Sequence, residues 1–422
     1  MRLLCLILTL LVSFLSNAES ILIRNVTILE STGVEENVSV LIKNGKIESV
    51  ESIIFTKATK EIDGTGKTLT TGLFNGETHI GAVEIGAIDS TVDFQTNNHS
   101  ITASFKPSES FNPNSTLIPH NRIHGLTHAL LVPEAKSHII AGQVAVIELG
   151  TKPQVLNDSF AMAIDFTEHG ISIMGGSRSA ALAKLRIALD DAKDFSRNRK
   201  PALSGEHRNY DLSYADLYAL QSVVEGKKPI IVKVNRSSDI LSIINLATEF
   251  QLKLILSGVA EGWMVADHIA KSQAPVIMDP IYNLPTAFEH LGARLDNAAI
   301  LHGAGVEQLI FTGMGWHNTH SAYLVRQSAG NAVANGLSKT ASIAAITSNP
   351  AEVFKLKYSG NIREGEIANL VLWSGDPFEL TSEAEMVIIA GDRIEMTSRS
   401  LQLRDRYFER IKGVVESESR GE

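Results

Sequence analysis

The stretch 71-TGLFNGETHIGAVEIGAI-88 carries the first residues whose types and spacing suit chemistry. Alternate residues of a strand share a face, so Asn75, Glu77 and His79 are expected on one side of it. A carboxylate and an imidazole two positions apart can hold a divalent ion from one side, or can bond to each other. GMGWHNTH (313–320) offers His317 and His320, which converge if a helix begins there. Asn318 can instead be that helix's N-cap. In PIIVKVNR, Lys233 alternates with Asn235 and is followed by Arg236. A lysine inside a fold is costly unless paired or functional, so Lys233 either binds an anionic substrate or balances Glu77. Glu84 and Glu261 are candidate bases. GGSR (175–178) and AGQ (141–143) read first as turns, with Gln143 a substrate contact second. His120, His124 and His128 are spaced by four in HNRIHGLTH, but Gly125 interrupts a continuous helix and a loop role is expected. No Gly-x-Ser-x-Gly elbow and no Walker loop occurs.

These residues need a scaffold. From residue 229 the chain alternates apolar strands and helices: PIIVKV (229–234), helix 238–250, LKLIL (252–256), helix 261–272, PVIM (275–278), helix 287–304, QLIFT (308–312), helix 321–336. Continuous apolar strands fit a parallel sheet buried on both faces, and four such units favour a (β/α) barrel or a doubly wound sheet. LFNGETHI (73–80), HALLVPE (128–134) and GISIMG (170–175) supply further strands upstream, and helix 178–194 starts behind Ser177. A barrel would place reactive groups at the C-terminal ends of its strands. That selects Asn75 to Glu84, Lys233 to Arg236, Ser257 to Glu261, Asp279 to Asn283 and Thr312 to His320. Residues 89–125, rich in Ser, Asn and Thr, read as a long loop near the site. Both chain ends are β-rich, with Asn44-Gly45 and Gly391-Asp392 as hairpin turns.

The chain has 422 residues, a formal charge of −9 and 44% hydrophobic residues, which fits a large globular core. The absence of any Lys/Arg-rich run gives no nucleic-acid signal. MRLLCLILTLLVSFLSNA (1–18) reads as a cleaved secretory leader, too short to span a membrane, which predicts a periplasmic or secreted protein with no stable membrane anchor. The only cysteine, Cys5, lies in that leader, so the mature chain has no thiol nucleophile and no disulfide. A small-molecule substrate or ligand is the expected partner, and a homo-oligomer is left open.

LTTGLFNGETHIG resembles the first-strand motif of the amidohydrolase superfamily, and NIREGEIANLVLWSGDPFEL resembles its C-terminal signature. LTHALLVPEAKSHIIAGQ, GGSRSAALAKLRIAL and ASIAAITSNPAEVFKL are similar to the imidazolonepropionase-like branch. The resemblance spans nearly all of residues 20–400. It implies a TIM-like (β/α)8 barrel of metal-dependent hydrolases plus a small β-sandwich formed from both chain ends. The implied parts are a signal peptide (1–18), sandwich segments at 19–72 and 355–400, the barrel at 73–354 and a charged C-terminal helix or tail (401–422). In the family, two histidines on the first strand, others on strands five and six and an aspartate on strand eight hold one or two divalent ions. Here Asn75 and Glu77 replace the aspartate and first histidine of the motif, and only His79 matches. Lys233, Ser257 or Gly258, and Gly313 or Met314 fall at the other ligand positions, and Asn369 replaces the signature's aspartate. Two readings follow. One is a divergent hydrolase of carbon–nitrogen bonds in cyclic amides, imides or dipeptide-like substrates. It would use a single metal, zinc first, on Glu77, His79 and His317, or no metal. The other is a catalytically inactive barrel that binds a small anion through Lys233, Arg236, Trp263 and Trp316.

Overall fold

The computed structural model describes residues 20–282, 284–313 and 318–419. The first strands build one sheet: β1 (Ser20–Glu30), β2 (Gly33–Lys43), β3 (Lys46–Glu51), β4 (Lys60–Asp63) and β5 (Thr68–Thr71). Asn44 and Gly45, with φ of 54° and 72°, make the tight turn between β2 and β3. The chain then enters the barrel through β6 (Leu73–Thr78), β7 (Leu126–Leu131), β8 (Ile140–Glu148) and β9 (Gln154–Asp165). It continues with β10 (Ile230–Val234), β11 (Leu254–Gly258), β12 (Val276–Met278) and β13 (Leu309–Phe311). It returns to the first sheet as β14 (Leu370–Trp373), β15 (Ala384–Ile389) and β16 (Asp392–Arg393). The pairing of β14 with β5 joins the two chain ends in the order β16-β15-β14-β5-β1-β2-β3, with β4 on β1. The turn before β16 uses Ala390 and Gly391, at φ of 52° and 88°, one residue earlier than the sequence suggests.

The helices are α1 (Leu117–Arg122), α2 (Glu168–Ile173), α3 (Arg178–Leu203), α4 (Tyr214–Val224), α5 (Ser237–Phe250) and α6 (Ala266–Ser272). They continue as α7 (Asn297–Gly303), α8 (Val325–Ala334), α9 (Lys339–Ala344), α10 (Ser348–Val353) and α11 (Arg399–Ser419). Among the described residues no helix is long and apolar enough to cross a membrane.

The barrel sheet runs β13-β12-β11-β10-β9-β8-β7-β6. It is parallel except that β8 lies antiparallel between β7 and β9. Two stretches depart from the sequence expectation here. AGQ is not a turn but part of β8, where Gly142 at φ 134° bulges so closely under Phe105 that a Cβ would lie 2.7 Å from its carbonyl oxygen. GISIMG is not a strand. The place beside β10 is already taken by β9, and Thr167 caps the following turn into α2 by accepting from the His169 amide. The region expected as helix 287–304 is helical in α7 only from Asn297, after a short turn at Phe288–His290.

Phe74, Val144, Ala163, Ile231, Ile255, Ile277 and Ile310 fill the barrel interior, while Leu73, Val232, Leu256 and Phe311 face the helices. The seam between β13 and β6 is closed by the Ala345–Ile346 backbone: Phe311 N donates to Ala345 O and Phe74 N to Ile346 O, at 3.0 and 2.8 Å. The two sheets meet at Trp373. Its Nε1 donates to Thr70 at 2.9 Å, and its ring lies so close to Gly125 that a Cβ there would come within 2.7 Å. Gly125 also has φ +92°, where L side chains are strained. Gly125→Ala is therefore expected to cost roughly 2 kcal/mol or more, read as a lowered thermal midpoint. An unchanged midpoint would contradict this packing.

Candidate functional site

Strand alternation alone would put Asn75, Glu77 and His79 on one face. The structure divides them. Phe74 and Gly76 point into the barrel, and the pairing of β6 with β7 slips between Asn75 and Thr78. Such a bulge re-aims side chains at a strand tip. Glu77 and His79 turn into the mouth cavity, while Asn75 is built into the wall. Its Nδ2 donates to Asn318 Oδ1 and Ala322 O, and its Oδ1 accepts from Thr312 Oγ1 and the Glu77 amide. The Asn318 amide group in turn bonds the Glu77 carbonyl.

The cavity measures about 320 Å³ and lies at the C-terminal ends of the strands. Glu77, His79, Glu134, Asp165, Lys233 and Ser257 are among its lining residues. Lys233 Nζ donates to Glu77 Oε1 at 2.6 Å, and Ser257 Oγ stands 3.4 Å from Oε2. Lys233 is the one outlying position on an otherwise buried β10. The residue sits deep among protein atoms, yet 48% of its side-chain surface borders the cavity rather than packed neighbours. It is thus reachable by a ligand from the cavity.

Charges in the cavity set one another. The Glu77 carboxylate raises the Lys233 pKa above its ordinary value, against the effect of burial. Burial pushes Glu77 up, but the Lys233 ammonium outweighs it and holds Glu77 below the usual carboxylate value. Burial lowers His79 to about 4, despite the pull of Glu77. Its ring stacks on Phe94 at 3.7 Å, its backbone amide donates to Thr319 Oγ1, and its Nε2 is buried without a hydrogen-bond partner. Glu134 Oε1 lies 3.6 Å from that Nε2. Because the ring is neutral at neutral pH, this is a contact and not an ion pair. Burial also raises the Glu134 pKa, with Lys233 opposing. Phe94, from the long 89–125 segment, holds the Glu134 amide on its carbonyl at 3.1 Å as well.

Other candidate residues sit elsewhere. Glu84 accepts from Asn112 and Ser115 in the rim loop. Glu261 accepts from the Ser237 amide and hydroxyl and so caps α5. Arg236 occupies the N-cap position of that helix, and Gln143 accepts from Lys228 lower in the barrel. Trp263 donates to Gly292 O under the Arg294 guanidinium. None of these five lines the cavity. Trp316 and His317, and with them Met314, lie outside the described residues. Glu134 and Asp165 join the site without a local sequence motif to mark them. Glu134 follows the second strand, where the barrel rule points, whereas Asp165 ends a strand that the sequence pattern conceals.

Residues 246–396 match the model of the amidohydrolase family. An amidohydrolase from Thermotoga maritima MSB8 superposes with a TM-score of 0.78 at 25% identity, covering 89% of this chain and 99% of that one. The chain shares the fold of the amidohydrolase superfamily and is similar to it in sequence over residues 246–396. Two more distant structures share the fold. One is a prolidase complexed with N-methylphosphonate-L-proline (TM-score 0.54, 14% identity, 89% and 99% coverage). The other is a dihydropyrimidinase from Brevibacillus agri NCHU1002 (TM-score 0.50, 13% identity, 89% and 95% coverage). No curated protein sequence matches the chain.

Superfamily resemblance implies a divalent ion at this mouth, and the residues can be tested against it. His79 Nε2 is a buried atom in want of a partner, as a ligand would be. Glu77 is not free: the Lys233 ammonium already holds it, and a second cation there would sit against a fixed positive charge. Among the described residues no three His, Cys, Asp or Glu groups converge on a common point. These residues do not fit the ion.

The neutral state of His79 has a consequence for stability. Between the ordinary value of 6.5 and the folded value of about 4, the unfolded chain binds a proton that the folded one refuses. Stability at His79 is therefore full above that window and falls as pH drops through it. His124, also lowered to about 4 by burial, acts with the same sign. Denaturation midpoints should fall between about pH 6.5 and pH 4.5, and His79→Gln should flatten the slope. Parallel slopes for both proteins would show that His79 titrates normally.

Proposed function

We propose that the protein hydrolyses carbon–nitrogen bonds in small cyclic amides, imides or dipeptide-like molecules, using its own side chains where the superfamily resemblance places a metal. We also assign it to the imidazolonepropionase-like branch and, on residues 1–18, to the periplasm or the exterior. One observation carries the reading. Around a single cavity stand an ammonium held by a carboxylate, a neutral imidazole with a free buried nitrogen, and a second carboxyl with a raised pKa. A raised carboxyl beside a fixed cation is a common acid–base arrangement.

The roles follow from the charges. Lys233 directs the N–H groups not used by Glu77 at the substrate carbonyl oxygen, where negative charge develops. Ionised Glu134 takes a proton from water as the water oxygen attacks the carbonyl carbon. The same proton passes to the leaving nitrogen as the carbon–nitrogen bond breaks, so one water is consumed and an acid and an amine are formed. His79 Nε2 accepts a hydrogen bond from the substrate or the attacking water, and the Phe94 ring fixes its plane.

The ion pair favours a second reading too, a barrel that binds a ligand without turning it over. The charge count then differs from the sequence expectation of an anionic ligand. Glu77, Glu134 and Asp165 face the cavity against one ammonium, and His79 is neutral. A neutral or cationic ligand suits this better than an anion.

The chain starting at Glu19 should contain well below one zinc, iron, manganese or nickel ion per molecule after dialysis. Turnover on a panel of cyclic amides and dipeptides should survive chelator and fall about 10²- to 10⁴-fold in Glu134→Gln and in Lys233→Met. One metal per chain, lost in both Glu77→Ala and His79→Ala, would establish a metal mechanism instead. Saturable binding of a panel member with no turnover would select the second reading.

A further inference from the structure

A larger cavity, about 1240 Å³, opens at the end of the barrel opposite the mouth. It lies among the segments that lead into β10, β11 and β12. Lys227, Lys228, Lys253, Lys271 and Lys355 line it with His268, and no Asp or Glu does. In a chain with 47 acidic and 38 basic residues, this is the reverse of the bulk composition. Two of these lysines are engaged: Lys227 meets Glu225 at 2.7 Å, and Lys228 donates to Gln143 Oε1 at 2.7 Å. Burial lowers Lys228, and Lys106, itself paired with Asp158, repels it further. Among the described residues Lys253, Lys271 and Lys355 have no carboxylate within ion-pair distance.

The ends of α5 and α6 reach this cavity, with Gln251, the residue just after α5, and Ser272, the last residue of α6, in its wall. Each helix end carries about half a negative charge, screened by water. Two such ends balance roughly one lysine, so most of the positive charge faces the cavity unanswered. Leu241 and Ile244 add an apolar side against which a carbon skeleton can rest.

We propose that this cavity binds a small, multiply charged oxyanion bearing two or more phosphate or carboxylate groups. It is a site apart from the barrel mouth and does not depend on the mouth's chemistry. Several ammonium groups spread over separate loops suit a ligand with several charged ends better than a single ion.

Titration calorimetry on the chain from Glu19 tests this with two probes, sodium tripolyphosphate and citrate, at about 50 mM salt. Saturable binding of at least one probe at one per chain is expected, weakening as salt rises to about 200 mM. Binding of tripolyphosphate alone assigns phosphate groups, and binding of both assigns carboxylates as sufficient. Lys253→Gln/Lys271→Gln/Lys355→Gln should weaken binding about tenfold or more, at about 1.4 kcal/mol per factor of ten. Lys43→Gln/Lys184→Gln, which alters lysines paired elsewhere, should not. Absence of saturable binding by wild type overturns the proposal, as does an equal loss in the control variant. If the triple variant does not fold, Lys271→Gln alone, checked by its melting curve, decides in the same way.

Discussion

The site depends on one interaction, the 2.6 Å ion pair between Glu77 and Lys233. Glu77 is largely buried and Lys233 half exposed, and each charge offsets the cost of partly desolvating the other. The pair also fixes the protonation of its surroundings. Lys233 remains an ammonium and Glu77 a carboxylate, and burial leaves His79 a neutral ring. Burial raises the Glu134 pKa and Glu77 adds repulsion, while Lys233 opposes both. The mouth thus sets an ammonium held by one carboxylate beside a second carboxyl whose pKa burial raises. The bulge in β6 makes the arrangement reachable, because an unbroken ladder would send Glu77 toward the wall that Asn75 now occupies.

The wall behind the pair is hydrogen-bonded from end to end. Asn318 and Thr312 bond the Glu77 carbonyl, and Thr319 accepts from the His79 amide. Asn121 of α1 donates to the Thr319 carbonyl and accepts from the Tyr323 amide. The His124 ring stacks on Tyr323 at 4.2 Å, and His120 meets the same ring edge-on. The histidines at 120 and 124 thus buttress the segment that carries the site, without facing the cavity. His120 lies in α1 and His124 in the turn that follows it, and His128 points away into a bond with Tyr358 and Thr127.

The second half of the barrel is legible in the sequence because its strands are short, apolar and separated by periodic helices. PIIVKV, LKLIL, PVIM and QLIFT all become strands, to within two residues at their ends. The first half is not, because β8 and β9 form an antiparallel hairpin with no helix between them. The outer half of β9 is polar and half-exposed, which removes the apolar run that marks a buried strand. For the site, the position of Glu77 and its balance by Lys233 follow from residue type and strand-end position. Glu261, Glu84 and Gln143 show the limit of that reasoning. A glutamate that caps a helix and one that abstracts a proton look alike until their partners are seen. The re-aiming of Glu77 by a bulge has no signature in the local sequence, and Glu134 after Val132-Pro133 reads as an ordinary loop acid.

The two ends of the barrel also differ in charge sign, and the fold supplies a reason. Helices run against the parallel strands, so their N-termini gather at the mouth and their C-termini at the opposite end. At the mouth, carboxylates exploit the amides of helix starts. Glu261 takes the first amide of α5, Glu289 that of α2, and Asp165 that of Thr167 just before it. At the other end, Lys271 sits in the last turn of α6, with Lys253 and Lys228 on neighbouring loops. Backbone dipoles account for the sign of each end, acidic above and basic below. They do not account for the amount. Above, nearly every carboxylate is bonded to an amide, a hydroxyl or Lys233, so the charge is consumed by the fold. Below, Lys253, Lys271 and Lys355 line the cavity with no carboxylate in ion-pair distance among the described residues, and no short stretch of sequence holds enough of them to reveal it.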